Sequence, residues 1–443
     1  MPSKAKIAYV VDVDMGYGHA RAAFALRDLS LGEIISANTY PGIPAQDKKL
    51  WQRSREVYET ISRLKPLPFI GDLAFNLMDE FQEIPAFYPR RDLSRLTLQL
   101  REIYRQIDHG LCRDLIDKLR ANPLPLVTTF FTVAFAAEAN GYPGEIYLVT
   151  TDTDLARHWA PRTPQKSKIK YFAANGRCKE RLMLYGVREN QIFLTGFPLP
   201  KELIGGYPEI QLQKELLARL CNLDPNGIFF NRYQKTLKAK LGAARCTPKK
   251  SHPLTLTFSV GGAGAQKQLG IDVLKSLKVA IRERRIRLAL FSGTRENVAR
   301  FFLDAVKSAD LQVELGRGVL VPTYRDRYAY FAGFNEFLRQ TDLLMTKPSE
   351  LSFYTALGLP ILMAPPIGSQ EKFNSVWLQS VGGGVPMGDP RYTNEWLFDW
   401  LNSGGLARMA WSGYIEAPTH GVYRIEDIVA GHKSEIHTLP LIV

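Results

Sequence analysis

Short β-branched or apolar runs alternate with longer helical stretches along this chain, and they do so twice. That pattern restricts the chain to parallel sheets with helices on both faces, because parallel strands need a crossover between them. In the first half, Ile7–Val11, Pro125–Thr129, Ile146–Thr150, Ile169–Phe172 and Ile192–Leu194 read as strands. In the second half the candidates are Leu254–Phe258, Ile286–Phe291, Gly318–Val321, Leu343–Met345 and Pro360–Met363. Loops rich in Gly, Pro or Thr follow most of these runs, at the carboxyl ends where open α/β sheets place their ligands. The expected fold class is α/β with two Rossmann-like domains, 1–198 and 253–443. Between them, 199–252 reads as a linker or insertion with a helical stretch at Gln211–Arg219 and a basic run from Lys235 to Lys250. No internal repeat of 20–50 residues stands out.

At 443 residues the chain is too long for one small domain, and 45% hydrophobic with 23% charged residues excludes disordered and fibrous classes. A net charge of +13 leaves nucleic acid, anionic lipid or a phosphorylated small molecule as partners. Nucleic acid is the least favoured, since the positive charge is spread out and no recognised nucleic-acid module accompanies it. Cysteines 112, 178, 221 and 246 form no C-x-x-C pair and have no His at ligand spacing, which argues against a zinc site or a disulfide scaffold and fits a reducing cytosol. The longest apolar candidate, Val127 to Ala137, is too short to span a bilayer, and Ile7–Val11 is no signal-peptide core. The expected location is cytoplasmic, with peripheral attachment to the inner membrane face as a further option. Trp51 to Arg105 mixes aromatics with Arg and Lys, suiting either an amphipathic patch against anionic headgroups or a partly buried helical excursion.

Three constellations carry chemistry. The first strand runs into Asp14-Met15-Gly16-Tyr17-Gly18-His19 and an Ala-rich helix. Glycines permit a sharp turn and close approach to backbone N–H groups, while the helix start favours a neutral His19 able to take a proton. The second is Ser259-Val260-Gly261-Gly262-Ala263-Gly264-Ala265-Gln266, a glycine loop opening another helix, where bare amides can cradle phosphate. The third joins Thr346-Lys347-Pro348-Ser349-Glu350 to Gln370-Glu371-Lys372-Phe373-Asn374, two polar loops at neighbouring strand ends whose carboxamide and carboxylate oxygens suit sugar hydroxyls.

In order, these stretches resemble the GT-B glycosyltransferases of the group containing the peptidoglycan N-acetylglucosaminyltransferase, monogalactosyldiacylglycerol synthase and processive diacylglycerol glucosyltransferases. Val149-Thr150-Thr151-Asp152 with His158-Trp159, Gly333-Phe334 and Gly358-Leu359-Pro360 also carry the resemblance. It implies two Rossmann-like domains facing across a cleft and transfer of a hexose from a nucleoside-diphosphate sugar, UDP-sugar foremost, to an acceptor hydroxyl. The acceptor is unidentified, a membrane lipid being one candidate. The resemblance further implies no bound metal or cofactor, with the nucleotide sugar as substrate. His19 or Asp152 would be the general base. Gly261 and Gly262 would face the diphosphate with Lys347 neutralising it, Phe334 would border the uracil, and Gln370 and Glu371 would hold the sugar. Gly18, Gly264, Thr346, Ser349 and Asn374 complete the implied donor-binding set. Two departures stand out: the family's glycines after T-K-P are Ser349 and Glu350, and its ribose-binding Glu falls at Thr355. A nucleotide-sugar epimerase and a catalytically inactive sugar-nucleotide sensor are the alternative readings.

Overall fold

Twelve strands among the described residues form two sheets, each six-stranded and parallel throughout. The computed structural model describes residues 7–52, 84–242, 246, 252–261, 264 and 266–432. Two Rossmann-like units result. One comprises Met1–Leu199, Ile367–Asn374 and His420–Val443; the other comprises Pro200–Pro366 and Ser375–Thr419.

In the first unit, β1 (Tyr9–Asp12), β2 (Ile35–Ser36), β3 (Leu126–Thr128), β4 (Ile146–Val149), β5 (Lys170–Ala173) and β6 (Ile192–Leu194) lie in the order β2-β1-β3-β4-β5-β6. All of β3 and β4 is buried, which explains their continuous apolar runs. The chain steps outward from β1 to β2, then returns to build β3 to β6 on the other side. The winding therefore reverses between β1 and β3. The second unit repeats the device with β7 (Thr255–Ser259), β8 (Arg287–Phe291), β9 (Val319–Leu320), β10 (Leu343–Thr346), β11 (Ile361–Met363) and β12 (Gly384–Pro386), ordered β12-β11-β10-β7-β8-β9. Its reversal lies between β7 and β10.

Ile7, Leu254 and Ile286, expected inside strands, precede the ladders that begin at Tyr9, Thr255 and Arg287. Leu254 and Ile286 are buried, and Leu254 O accepts the Arg287 N–H at 2.8 Å just ahead of the ladder. The edge strands β2 and β12 were not expected, because two residues, or a Gly-Val-Pro triplet, leave no readable alternation.

Of the linker or insertion expected at 199–252, the linker sense is corrected: from Pro200 on, the described residues belong to the second unit. The Ile210–Leu223 helix buries Leu212, Leu216, Leu220 and Leu223, one apolar stripe at helical spacing. Its Arg219, buried, donates from Nε to Thr341 O at 2.8 Å and from Nη1 to Leu357 O at 2.8 Å. Asn222 donates to Asp342, whose Oδ2 also accepts the Thr255 N–H at 2.8 Å, so one buried carboxyl fixes the entries of β7 and β10. Burial raises the Asp342 pKa to about 6. The 253–443 boundary is corrected too. The Gly421–Val429 helix packs in the first unit, where Arg424 Nη1 donates to Thr195 O at 2.9 Å. A Cβ on Gly421 would lie 2.2 Å from Phe197 O, a separation that only glycine permits.

The cysteine expectation is also corrected. Cys221 and Cys246 form a disulfide with Cα atoms 5.4 Å apart, while Cys112 and Cys178 are free and buried. A pair 25 residues apart matches no short motif; the fold beyond the Ile210–Leu223 helix brings the two together. Thiol titration of the chain unfolded without reductant should therefore count two free thiols, and alkylation should mark Cys112 and Cys178. Four reactive thiols would show that the bridge does not form.

Candidate functional site

β1 delivers the chain to the reversal of the first sheet. Gly16 there has φ 86° and ψ 179°, a combination essentially confined to glycine, and caps the Tyr17–Ala25 helix. Asn38, just after β2, pins the turn reciprocally: it accepts the Asp14 N–H at 2.8 Å and donates to Asp14 O at 3.2 Å. Gly18 and His19 occupy the first helical turn. His19 Nδ1 lies 2.6 Å from the Thr129 carbonyl oxygen, at the exit of β3. A carbonyl only accepts, so Nδ1 carries the proton, and in the neutral ring Nε2 is the basic nitrogen. Thr151 Oγ1 is 3.4 Å from the same Nδ1, which brings the 150–154 loop to His19. The imidazole meets the edge of Phe130 with centroids 4.8 Å apart and lies 6.1 Å from Trp159; Phe130 stacks on Phe131 at 4.6 Å. Thr129 Oγ1, buried in this group, has no hydrogen-bond partner among the described residues.

Asp152 lies on the loop after β4. Asn374 Oδ1 accepts from the Thr153 N–H at 2.9 Å and the Thr153 hydroxyl at 2.8 Å, while its Nδ2 donates to Asp152 Oδ1 at 3.3 Å. Asn374, expected on the donor, thus orders the Asp152 loop within the first unit. The loop is further fixed by Asn175, which donates to Thr153 O at 2.9 Å, and by the buried Arg181–Asp154 pair, two bonds of 2.8 Å each. His158, beside Phe131, donates from Nδ1 to Gln99 Oε1 at 3.0 Å. Burial first, then the His19 and Arg157 charges, lowers its pKa to about 4, so the ring is neutral near pH 7.

At the reversal of the second sheet the exits of β7 and β10 are joined by Thr346 Oγ1, which donates to Ser259 O at 3.2 Å. A Cβ on Gly261 would lie 2.7 Å from Lys347 Cε, so the bare backbone lets the lysine stem lie on the loop. A Cβ on Gly264 would lie 3.2 Å from Arg295 Cδ. Two cationic side chains therefore border the glycine loop. Arg295, in the loop after β8, was missed because a lone Arg in Ser-Gly-Thr-Arg carries no motif. Ser292, in that loop, has a buried hydroxyl without a partner among the described residues. Gln266 Nε2 donates to Pro365 O at 2.7 Å, tying the end of the glycine loop to the exit of β11. Gly262 lies outside the described residues.

Other expected residues take different places. Phe334 is fully buried, edge-on to Phe291 at 5.0 Å and packed near Tyr330, so the expectation that it borders a base is corrected: its ring fills the core. Thr355 donates to Gly383 O at 3.2 Å, and a Cβ on Gly383 or Gly413 would collide with its Oγ1, so it is wedged against both glycine backbones. Glu371 Oε2 accepts the Ile367 N–H at 2.7 Å, a local bond at the start of the Ser369–Ser380 helix; Gln370, beside it, is half-buried. Ser349 precedes the short Glu350–Leu357 helix without capping it through its side chain, and Glu350 is buried. Of the Trp51–Arg105 patch, 53–83 lies outside the described residues. Trp51 and Phe87 are buried, and Phe87 lies beneath the Arg177 guanidinium at 3.8 Å. Among the described residues, no group of three or more His, Cys, Asp or Glu could hold a metal ion, and no helix is long and apolar enough to cross a membrane.

A family described as "Domain of unknown function (DUF6938)" matches residues 239–424. The chain is 23% identical over 264 residues to a processive diacylglycerol beta-glucosyltransferase of Bacillus cytotoxicus, covering 59% of this chain and 55% of that one. It is 22% identical over 278 residues to the enzyme of the same description from Staphylococcus carnosus, covering 62% and 59%. The chain thus spans less than two thirds of the length of these relatives. Among solved structures, a putative UDP-N-acetylglucosamine 2-epimerase from Listeria monocytogenes aligns over 99% of this chain and 100% of its own at 13% identity, with a TM-score of 0.49.

The neutral burial of His158 has a consequence for stability. Its folded pKa lies below its unfolded value of about 6.5, so the unfolded chain takes up the proton first as pH falls. Its contribution is complete above about pH 6.5 and lost on going down to about 4, a loss of about 3 kcal/mol. Asp342, with its pKa raised to about 6, acts in the opposite sense over part of that range, but equally in both proteins compared. Urea unfolding of wild type and His158→Gln at pH 7 and pH 4.5 should show the wild-type advantage shrinking with acid. A pH-independent difference would mean that His158 is not buried neutral.

Proposed function

We propose that the protein transfers a hexose from a nucleoside-diphosphate sugar, UDP-sugar foremost, to an acceptor hydroxyl, with a membrane lipid as the acceptor class. The supporting observation is the gathering of Gly261, Gly264, Lys347 and Arg295 at the reversal of the second sheet, where bare amides and two cations meet beyond the carboxyl ends of the strands. That combination suits a diphosphate. The relatives named as diacylglycerol glucosyltransferases support a lipid hydroxyl as acceptor.

In this reading His19 is the general base. With Nδ1–H held by Thr129 O, Nε2 takes the acceptor proton, the acceptor oxygen attacks the anomeric carbon, and the nucleoside diphosphate leaves with the bonding pair. Asp152, steadied through Asn374, is the second candidate base. The leaving group gathers negative charge on its phosphate oxygens, and Lys347 and Arg295 stabilise it there. The aromatic wall of Phe130, Phe131 and Trp159 offers apolar surface beside the base. Glu350, close in sequence to Lys347, is a buried carboxylate where the resembling family has glycine.

Mass spectrometry of products from UDP-hexoses and diacylglycerol in mixed micelles tests the reaction. A hexosyl lipid is the expected product; free or epimerised sugar formed without acceptor would overturn it. His19→Ala should lower turnover about 100-fold or more with circular dichroism unchanged, and near-wild-type turnover would remove His19 from the mechanism. Lys347→Ala and Arg295→Ala should each weaken UDP binding roughly 10-fold or more while sparing uridine, because each removes a charge-assisted hydrogen bond. Equal losses for UDP and uridine would place both side chains away from the phosphates.

A further inference from the structure

From Pro225 to Ile271 the sequence contains no Asp or Glu. Within that stretch the Ile228–Leu241 helix turns Phe229, Phe230 and Leu237 into the second unit. Every other residue from Asn231 to Lys240 except Tyr233 is exposed. Arg232, Lys235, Lys238 and Lys240 thus stand on one short element, and none of them is ion-paired with a carboxylate among the described residues. Some helical lysines elsewhere in this protein do pair with acidic neighbours, Lys118 with Asp114, Lys179 with Glu189 and Lys278 with Asp310. Arg245, Lys249 and Lys250 extend the cationic run in sequence. Between Arg245 and Lys249, Cys246 is tied by its disulfide with Cys221 back to the Ile210–Leu223 helix.

We infer that the solvent face of the Ile228–Leu241 helix is a docking surface for an anionic lipid membrane. Charge complementarity carries the inference: a cation-only helix face beside an anionic surface gains affinity of about 5-fold for each Lys or Arg near the headgroups, and this gain is screened by salt. The same face opposes docking of acid-poor or cationic partners. The choice of a membrane over a nucleic acid rests on the lipid-acceptor reading above. A soluble enzyme that modifies a membrane lipid must reside at the bilayer, and this helix supplies a contact separate from the groups assigned to the reaction.

Flotation of the full-length protein with phosphatidylcholine vesicles, with and without phosphatidylglycerol, tests the surface. Wild type should bind only the anionic vesicles and release as salt rises. Lys235→Gln/Lys238→Gln, which keeps good helix formers, should lower partitioning about 25-fold. The control Arg300→Gln/Lys307→Gln removes the same charge from the Glu296–Ser308 helix and should retain most of the binding. Unchanged binding of the first variant, or equal losses in both, overturns the inference. So does binding to single-stranded RNA, but not to vesicles, that depends on Lys235 and Lys238. Hexose transfer to diacylglycerol in detergent micelles separates the two claims. Vesicle binding without any transfer sinks the reaction and leaves the docking face. Transfer in micelles with vesicle binding indifferent to the first variant sinks the docking face and leaves the reaction.

Discussion

A parallel sheet that reverses its winding leaves one pair of neighbouring strands whose following loops diverge to opposite faces, so no crossover covers the gap between their carboxyl ends. Much else in this protein depends on that constraint. The first sheet reverses between β1 and β3, and there His19 bonds to Thr129 O. The second reverses between β7 and β10, and there Lys347 lies on Gly261. Across the first pair of strand exits His19 bonds to Thr129 O, and across the second Thr346 bonds to Ser259 O.

The chemistry of the two gaps differs. The first is walled by aromatic rings and threonines, with a histidine whose tautomer is set by a carbonyl. The second is lined by glycine backbone and two cations, which favours a ligand bearing negative charge. Buried polar groups away from both gaps do structural work. Arg219 satisfies its guanidinium on backbone carbonyls, and Asp342 fixes the entries of β7 and β10 at the opposite end of the sheet from Lys347.

The alternation of apolar runs with helices made the two parallel sheets legible, because strands buried on both faces cannot hide among polar residues. Glycine loops were legible for a similar reason: Gly16 sits where its backbone angles exclude other residues, and Gly261 where the Lys347 stem lies close to the bare backbone. Contacts that depend on folding were not. Arg295 reaches the glycine loop only because β8 lies beside β7. Phe334 and Thr355 were placed near a ligand by alignment with a motif, yet local packing claims both, one by Phe291 and the other by Gly383 and Gly413. Asn374 is 222 residues from Asp152 in sequence, a distance no pattern of spacing reveals.

The Gly421–Val429 helix returns, after the whole second sheet has been made, to close on Phe197 and Thr195. On a ribosome the first unit therefore waits for this helix until the second sheet has been made. Cutting the chain at residue 199 would leave the Gly421–Val429 helix on the fragment that carries the second sheet.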